Sequence, residues 1–434
     1  LNAANLGGMK QSRSSSPLRW LFLDLNSYFA SVEQQLNPRL KDKPVAVVPM
    51  ISDSTCAIAA SHQAKRFGIK TGTNISDARQ RCPELILVQA DHSKYVEFHE
   101  KIKRVIEFYY PIEVVASIDE MGLLLDSTRQ SEASALDLAR RIKRGLRERL
   151  GECITCSIGI APNRYLAKIA SDLEKPDGLT VLHIADLPDA LVGWELTDLF
   201  GIGRRMGPRL HAAGILTVGD LWHATPEELR SVWGGVGGNR FWQELHGHDL
   251  GAFPQQSRSI GHSHVLSPEL RCPPEAAIVA RRLLSKAASR LRRQDWNASE
   301  LSLSVKTEEK CQGAAVIRLP WPTQDTFTLM QALLKLWPIV LGQVRWARIK
   351  KLSVTLYGLE SVYQPKQMEL FRDFRPISEE KMARQHRLSR VMDHLNQHFG
   401  RDSIALGFLP DEVKAFSGTK IAFTRIPEME EFLE

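Results

Sequence analysis

The chain has 434 residues, of which 43% are hydrophobic and 25% charged, the balance of an ordinary soluble globular protein with three or four domains. No apolar run reaches the roughly 18–20 residues of a membrane-spanning helix, which excludes the helical membrane classes. Net charge is +7, a modest excess over the whole length, and composition alone does not say which partner it serves.

In chain order, LNAANLGGMKQSRSSSP (residues 1–17) is small, polar and Ser-rich and reads as a disordered leader; whether residues 1–8 are native stays open. RWLFLDLNSYFASVEQQL predicts an apolar strand ending at Asp24, then a helix to about Leu36. KPVAVVPM and TCAIAA read as strands, and SHQAKRFG as the start of a helix. SKYVEFHEKIKRVIEFYYP has helical periodicity, with Tyr95, Phe98, Ile102, Val105 and Ile106 on one stripe. IEVVASID and MGLLLD predict two strands around an acidic pair, ASALDLARRIKRGLRERL an amphipathic helix, and CITCSIGIA another strand. From about Ile184 to Asp249 the pattern is short helices broken by Gly.

After a linker-like AFPQQSRS, the order βαββαβ follows: SHVLSP, PPEAAIVARRLLSKAASRLRRQ, SELSLSVKTE, GAAVIRLPW, TFTLMQALLKLWPIV and RIKKLSVTLYGL. That is a split βαβ unit. A polar tail beyond Tyr363 contains a helix at about Glu379–Phe399. The charge is uneven: residues 258–361 hold 16 Lys and Arg against 8 Asp and Glu, whereas 361–434 hold 11 against 12. One segment carries the whole excess, as a phosphate-backbone surface would, although solvated helix faces give the same count. The six cysteines are scattered, as in a reducing cytoplasm, and Cys153 and Cys156 of CITC read as structural because residues three apart on a strand face opposite ways.

Two constellations carry chemistry. Asp24 ends one predicted strand, and Asp119 with Glu120 interrupts an apolar stretch at the end of another. A solvated turn accounts for such a pair. Carboxylates meeting at one sheet end would equally offer the oxygen ligands that Mg²⁺ needs, and two such ions promote phosphoryl displacement. In FGIGRRMGPRLHAAGI, Gly201 and Gly203 break one helix and open another, with Arg204, Arg205 and Arg209 alongside. This helix-hairpin-helix pattern suits contact with a DNA backbone; a plain interhelical turn is the alternative, and WGGVGG is a weaker echo.

FLDLNSYFASVEQQLNP, ASHQAKRFGIKTGT, SIDE, SIGIAPNRYLAKIASDLEKPDGL, FGIGRRM and SRSIGHSHVL occur in that order. Together they resemble, over about Trp20 to Leu359, the Y-family translesion DNA polymerases, the group of bacterial polymerases IV and V. The resemblance implies an α+β multidomain right hand. Its palm would span 18–30 and 93–181, its small fingers 31–92, and its helix-hairpin-helix thumb 182–250. A linker at 251–257, a split-βαβ little finger at 258–361 and a tail at 362–434 would complete the chain.

The family's metal-binding carboxylates fall on Asp24, Asp119 and Glu120, with the Leu25 carbonyl as a further ligand and two Mg²⁺ ions as cofactor. Phe29 falls on the bulky position that collides with a ribose 2′-hydroxyl, although core packing is the bland reading of one Phe. Lys65, Arg66 and Lys175 fall on triphosphate contacts, as does His62 where many members have Tyr. Gly201, Gly203, Arg204, Arg205 and Arg258 fall on DNA contacts. Gln367, Leu370 and Phe371, in QMELF, look like a ligand of the bacterial sliding clamp.

Three departures stand out: Gly122 for an aromatic, Leu124 for an Asp, and Asn26 for a frequent Asp. The implied protein is a cytoplasmic, monomeric translesion polymerase acting on primer-template DNA and deoxynucleoside triphosphates in damage tolerance. A catalytically inactive, DNA- and clamp-binding accessory of the same fold is the main alternative. A scaffold working through its tail and a nuclease using the same carboxylates are weaker ones.

Overall fold

The computed structural model describes residues 16–251, 259–363, 379–400, 402–407 and 426–427. The described residues fall into two compact units, 16–251 with 426–427 in the first and those from 259 to 407 in the second.

In the first unit, WLFLDL forms β1 (Trp20–Leu25), buried along its whole length, so its apolar run is that of a central strand covered on both faces. It leads through Ser27 into α1 (Tyr28–Leu36). A small layer follows: β2 (Val45–Val48), β3 (Ala59–Ala60), α2 (His62–Lys65), α3 (Ile75–Arg81) and β4 (Ile86–Gln89). Its sheet has the order β3-β2-β4, around a core of Ala46, Val48, Ala60, Ala64, Ile69 and Ile75. The predicted TCAIAA strand shortens to β3 with one bridge from Cys56 to Asn74, and the SHQAKRFG helix shortens to one turn. α3 and β4, short and weakly patterned, have no counterpart in the sequence reading.

The main layer is built from α4 (His92–Tyr109), β5 (Val114–Val115), β6 (Glu120–Leu124), α5 (Glu132–Leu150), β7 (Cys156–Ala161), α6 (Arg164–Leu173) and β8 (Leu179–Val181). The sheet order is β5-β6-β1-β7-β8, with β1 antiparallel to both neighbours. The predicted stripe of α4 is buried throughout. IEVVASID is not one strand; β5 covers only Val114–Val115, and the chain then turns at 116–119 to bring the acids to the start of β6. Cys153 lies outside β7 and only Cys156 within it.

Gly159 of β7 is required by close approach. A Cβ there would meet the Ala167 carbonyl oxygen at 2.1 Å and the Ser171 nitrogen at 2.3 Å, so the bare backbone lets α6 lie against the sheet. Gly122 faces Phe22 across the β1–β6 pair, and a Cβ on it would meet Val114 at 2.8 Å and Trp20 at 3.3 Å. Trp20 and Val114 thus fill the space that an aromatic at 122 would need.

Residues 184–245 form three single 3₁₀ turns, then α7 (Met206–Ala212), α8 (Val218–His223), α9 (Pro226–Trp233) and α10 (Val236–Leu245). Their apolar residues join one core with Trp20, Phe22, Leu166 and Ala170. The end of this segment is tied to the sheet by Trp20 Nε1 donating to Asp249 (2.9 Å) and Asn163 Nδ2 donating to the Glu244 (2.6 Å) and His248 (3.0 Å) carbonyls.

The second unit contains β9 (Ser259–Val265), α11 (Pro273–Arg293), β10 (Trp296–Thr307), β11 (Gln312–Thr323), α12 (Thr326–Gln343) and β12 (Ile349–Ser361), the expected βαββαβ order. The sheet is β11-β10-β12-β9, all antiparallel, so β12 splits the parallel pair β9 and β10. Alternation along β10 sends Leu301, Leu303 and Val305 into a core with Leu284, Leu291 and Leu333 of the two helices. The tail helix α13 (Glu379–Phe399) docks on this unit. Arg292 forks onto Asp393 at 2.5 and 2.8 Å, and the buried Ser389 hydroxyl accepts from Thr326 N.

Because the contacts at Gly159 are backbone, Gly159→Ala should cost about 1–3 kcal/mol or more. Denaturant unfolding checks this, and an unchanged midpoint would mean that α6 is not so closely seated.

Candidate active site

β1 delivers Asp24 to the end of the sheet, opposite Glu120 on β6 and Ser157 on β7. The next residue continues the stitching: Leu25 N donates to the Asp119 carbonyl at 2.9 Å. The turn before β6 is fixed twice. Ser117 Oγ donates to Asp119 Oδ1 at 2.5 Å, and His99 of α4 donates through Nδ1 to the Ile118 carbonyl at 2.7 Å. Asp24, Asp119 and Glu120 are therefore at one sheet end; the acidic pair does follow a turn, at 116–119, but both of its carboxyls are only partly exposed and burial raises the pKa of both.

The electrostatics are uneven. Burial pushes the Asp24 carboxyl up, but Lys168 and Lys175 outweigh it and the pKa lies below the usual range. Burial raises Asp119 despite the Ser117 bond, with the Asp24 charge adding to the rise. Burial likewise raises Glu120 against the pull of Lys168, and Asp24 and Asp119 add to it. Three acids, Asp24, Asp119 and Glu120, thus share the strand end with Lys168 and Lys175, and the anionic donors are all oxygen. That chemistry fits a hard divalent cation. As the side chains stand, no three acidic, His or Cys side chains converge closely enough to hold a metal among the described residues. Lys168 lies between the acids instead, 2.5 Å from Asp24 and 2.9 Å from Glu120.

Lys175 reaches Asp24 at 2.8 Å and Asp172 at 2.7 Å from the loop after α6. That loop is anchored by Lys143, whose Nζ donates to the Cys156 and Asp177 carbonyls, each at 2.7 Å, and to that of Gly178 at 3.1 Å. Asn26 Oδ1 accepts from Asp177 N at 2.8 Å, and Asn26 Nδ2 donates to Ser157 at 3.0 Å. Asn26 therefore ties β1 to β7 and to the Lys175 loop. The sequence reading assigned no role to Lys143 or Lys168. A lysine inside the apolar run YLAKIA was the available signal for Lys168; Lys143 looked like any cation on an amphipathic helix.

Phe29 is half-buried and stacked on Tyr95, ring centroids 4.3 Å apart and planes 11° from parallel. Tyr95 is itself pinned, its hydroxyl donating to buried Glu33 at 2.7 Å while its carbonyl accepts from Tyr28 at 2.6 Å. Both readings of Phe29 retain support, since it packs on Tyr95 and His92 and stays partly exposed.

His62 opens α2, behind the Ser61 cap, and Lys65 and Arg66 close it. Burial, then Lys65, Arg66 and Lys175, hold the His62 imidazole below its usual range, and its Nε2 is buried without a hydrogen-bond partner. Desolvation and Lys175 lower the Lys65 ammonium while Asp24 and Asp119 oppose them, which brings α2 into the same electrostatic field as the carboxylates.

Gly201, at φ +90°, is a position that favours glycine, and Gly203, Arg204 and Arg205 are exposed just before α7. WGGVGG spans the junction of the two helices, from Trp233 at the end of α9 through Gly234 and Gly235 to Gly238 in the first turn of α10. A Cβ on Gly238 would meet the Leu229 carbonyl oxygen at 2.1 Å, so packing of the two helices explains that glycine. In the second unit, the sheet face away from the helices carries Ser302, Ser304, Ser353 and Thr355. The adjacent Lys306 and Lys351, and Arg318, lie along it. Arg258, Gln367, Leu370 and Phe371 lie outside the described residues.

Two family models match the chain: the impB/mucB/samB family over residues 23–172 and its C-terminal domain over 257–370. A DNA polymerase IV of Moorella thermoacetica is 34% identical, covering 89% of this chain and 94% of that protein. DNA polymerase IV 1 of Bacillus subtilis is 28% identical over 89% of this chain and 91% of that protein. Among solved structures, a Y-family DNA polymerase chimera of Dbh and Dpo4 aligns with a TM-score of 0.68 at 24% identity, covering 79% of this chain and 99% of that one. The chain belongs to the impB/mucB/samB family and is a Y-family DNA-directed DNA polymerase.

The His62 field is directly measurable. By NMR titration His62 should titrate below the ordinary ~6.5 of histidine, neutral at pH 7, and Lys65→Ala should move the midpoint upward. An unshifted midpoint in both proteins would contradict the described proximity.

Proposed function

We propose that the chain extends a primer 3′ end on a DNA template by two-metal-ion phosphoryl transfer, at low fidelity, and so copies damaged template in damage tolerance. The observation that carries this reading is the buried set Asp24, Asp119 and Glu120 at one end of β1 and β6. These three carboxylates, with the Leu25 carbonyl, would hold two Mg²⁺ ions. Bound there, the ions would activate the attacking hydroxyl and offset charge on the leaving pyrophosphate.

The chain's own residues supply the rest. Residues 18–30 and 93–181 act as palm, 31–92 as fingers, 182–250 as thumb and 258–361 as little finger. Lys65, Arg66 and Lys175 contribute positive charge for a triphosphate, and neutral His62 offers an unpartnered ring nitrogen to a phosphate oxygen. Phe29, braced by Tyr95, excludes a ribose 2′-hydroxyl by contact. The fingers rest on a three-stranded sheet with a core dominated by Ala, Val and Ile, a small body that leaves room over the template base.

Gly201, Gly203, Arg204 and Arg205 would hold the DNA backbone from the thumb. In the little finger, the serine-rich sheet face flanked by Lys306, Lys351 and Arg318 would meet phosphates, together with Arg258. Small hydroxyl side chains on a sheet face would let a backbone approach closely without reading bases. QMELF, through Gln367, Leu370 and Phe371, would dock on the sliding clamp.

Asp119→Ala should lower primer extension by about a hundred- to a thousandfold, as loss of a charged group acting in the transition state does, with DNA affinity within error. Comparable extension by that variant would sink the assignment. Phe29→Ala should admit ribonucleotides in a sugar-competition assay; unchanged selectivity would return Phe29 to simple packing. Alanine at Gln367, Leu370 and Phe371 should abolish clamp-stimulated synthesis and leave clamp-free synthesis intact.

A further inference from the structure

Lys168 is a buried lysine with three acidic neighbours. Its Nζ is 2.5 Å from Asp24, 2.9 Å from Glu120 and 3.2 Å from Asp172, and the side chain is only 11% exposed. Two of those acids are cation ligands under the function proposed above. Asp172 is not; it sits one turn further along α6, the i+4 neighbour of Lys168, and also accepts from Lys175 at 2.7 Å.

We infer that Lys168 competes with divalent cations for Asp24 and Glu120, and that Asp172 is the place to which its ammonium withdraws when a cation binds. The inference rests on the reading of Asp24, Asp119 and Glu120 as cation ligands. A divalent cation bridging Asp24 and Glu120 would meet an ammonium at Asp24 Oδ2 and Glu120 Oε1, with Lys175 already crowding the same Asp24 oxygen, and like charges at contact repel strongly in a poorly solvated site. The side chains already show the conflict. Lys168 Nζ stands 2.5 Å from Asp24 Oδ2 and 2.9 Å from Glu120 Oε1, the place a cation bridging the two carboxylates would occupy.

The helix holding Lys168 is not free to retreat, since Gly159 seats α6 against β7 at backbone contact. Release of the two ligands must therefore come from side-chain rotation. Asp172, already at 3.2 Å, lets the ammonium move without becoming a buried charge lacking a partner. Lys168 would thus be a positioning residue. It offsets the mutual repulsion of the buried carboxylates and sets the cation concentration at which they are captured.

The competition makes opposite predictions for two substitutions. Full-length wild type, Lys168→Met, Asp172→Asn and the double variant are titrated with Mn²⁺ alone, without DNA or nucleotide, by calorimetry or by loss of the free-ion paramagnetic resonance signal. Asp119→Ala marks binding at the site. Removing the competing ammonium should lower the half-saturating Mn²⁺ concentration about fivefold or more. Asp172→Asn, which removes the charge that draws Lys168 and Lys175 away from Asp24, should raise it, and the double variant should fall below Asp172→Asn.

Thermal unfolding without a divalent cation should show Lys168→Met to be the least stable of the set, with the largest recovery on adding Mn²⁺. If Lys168→Met folds poorly, the upward shift in Asp172→Asn still decides the matter. Equal or weaker binding by Lys168→Met, or unchanged or tighter binding by Asp172→Asn, would overturn the competition while leaving the cation site in place. No saturable binding that Asp119→Ala removes would overturn both this inference and the reading beneath it.

Discussion

Negative charge packed at the buried end of a β-strand is unstable by itself, and much of the first unit is arranged around that constraint. Asp24 lies in a strand covered on both faces, where an unpaired carboxylate would be neutralised by protonation rather than remain charged. Lys168 and Lys175 keep it ionised. They can do so because α6 is seated against β7 at Gly159 and because Lys143 and Asn26 hold the following loop. Burial raises the Asp119 and Glu120 carboxyls, with the neighbouring acids adding to the rise, and a set of oxygen donors of this kind has the chemistry of a hard-cation site.

The same logic separates what the two units contribute. The first gathers charge of both signs at one place: acids from β1 and β6, cations from α2 and the loop after α6. The second spreads small hydroxyl groups and a few cations over one face of its sheet, while α11 and α12 build the core behind. Concentrated charge of this kind serves bond chemistry, and a broad basic face serves contact with a polyanion.

Much of this was legible in the residues, for physical reasons. Strands such as WLFLDL and LSLSVKT announce their environment through continuous or alternating apolar residues, and the βαββαβ order of the second unit follows directly. The bend at 116–119 was not legible, because IEVVASID has the composition of an unbroken strand and only the pairing of β6 with β1 stops it at Val115. α3 and β4 were missed since each is too short to show a period. At the site, Asp24, Asp119 and Glu120 stood out as acids in apolar runs. Lys143 and Lys168 did not, because a lysine's partners are set by tertiary contacts with residues far away in sequence. The stacking of Phe29 on Tyr95 is hidden for the same reason: two aromatics 66 positions apart carry no local mark of their contact.

The most direct test of the account is primer extension by the full-length protein with Mg²⁺ and the four deoxynucleotides, on an undamaged template and on one bearing an abasic site. The account predicts extension on both, with nucleotides inserted opposite the lesion and beyond it. Extension that stops at the abasic site would contradict the translesion role, and failure to extend either primer by a chain that binds the DNA would contradict the catalytic reading of Asp24, Asp119 and Glu120.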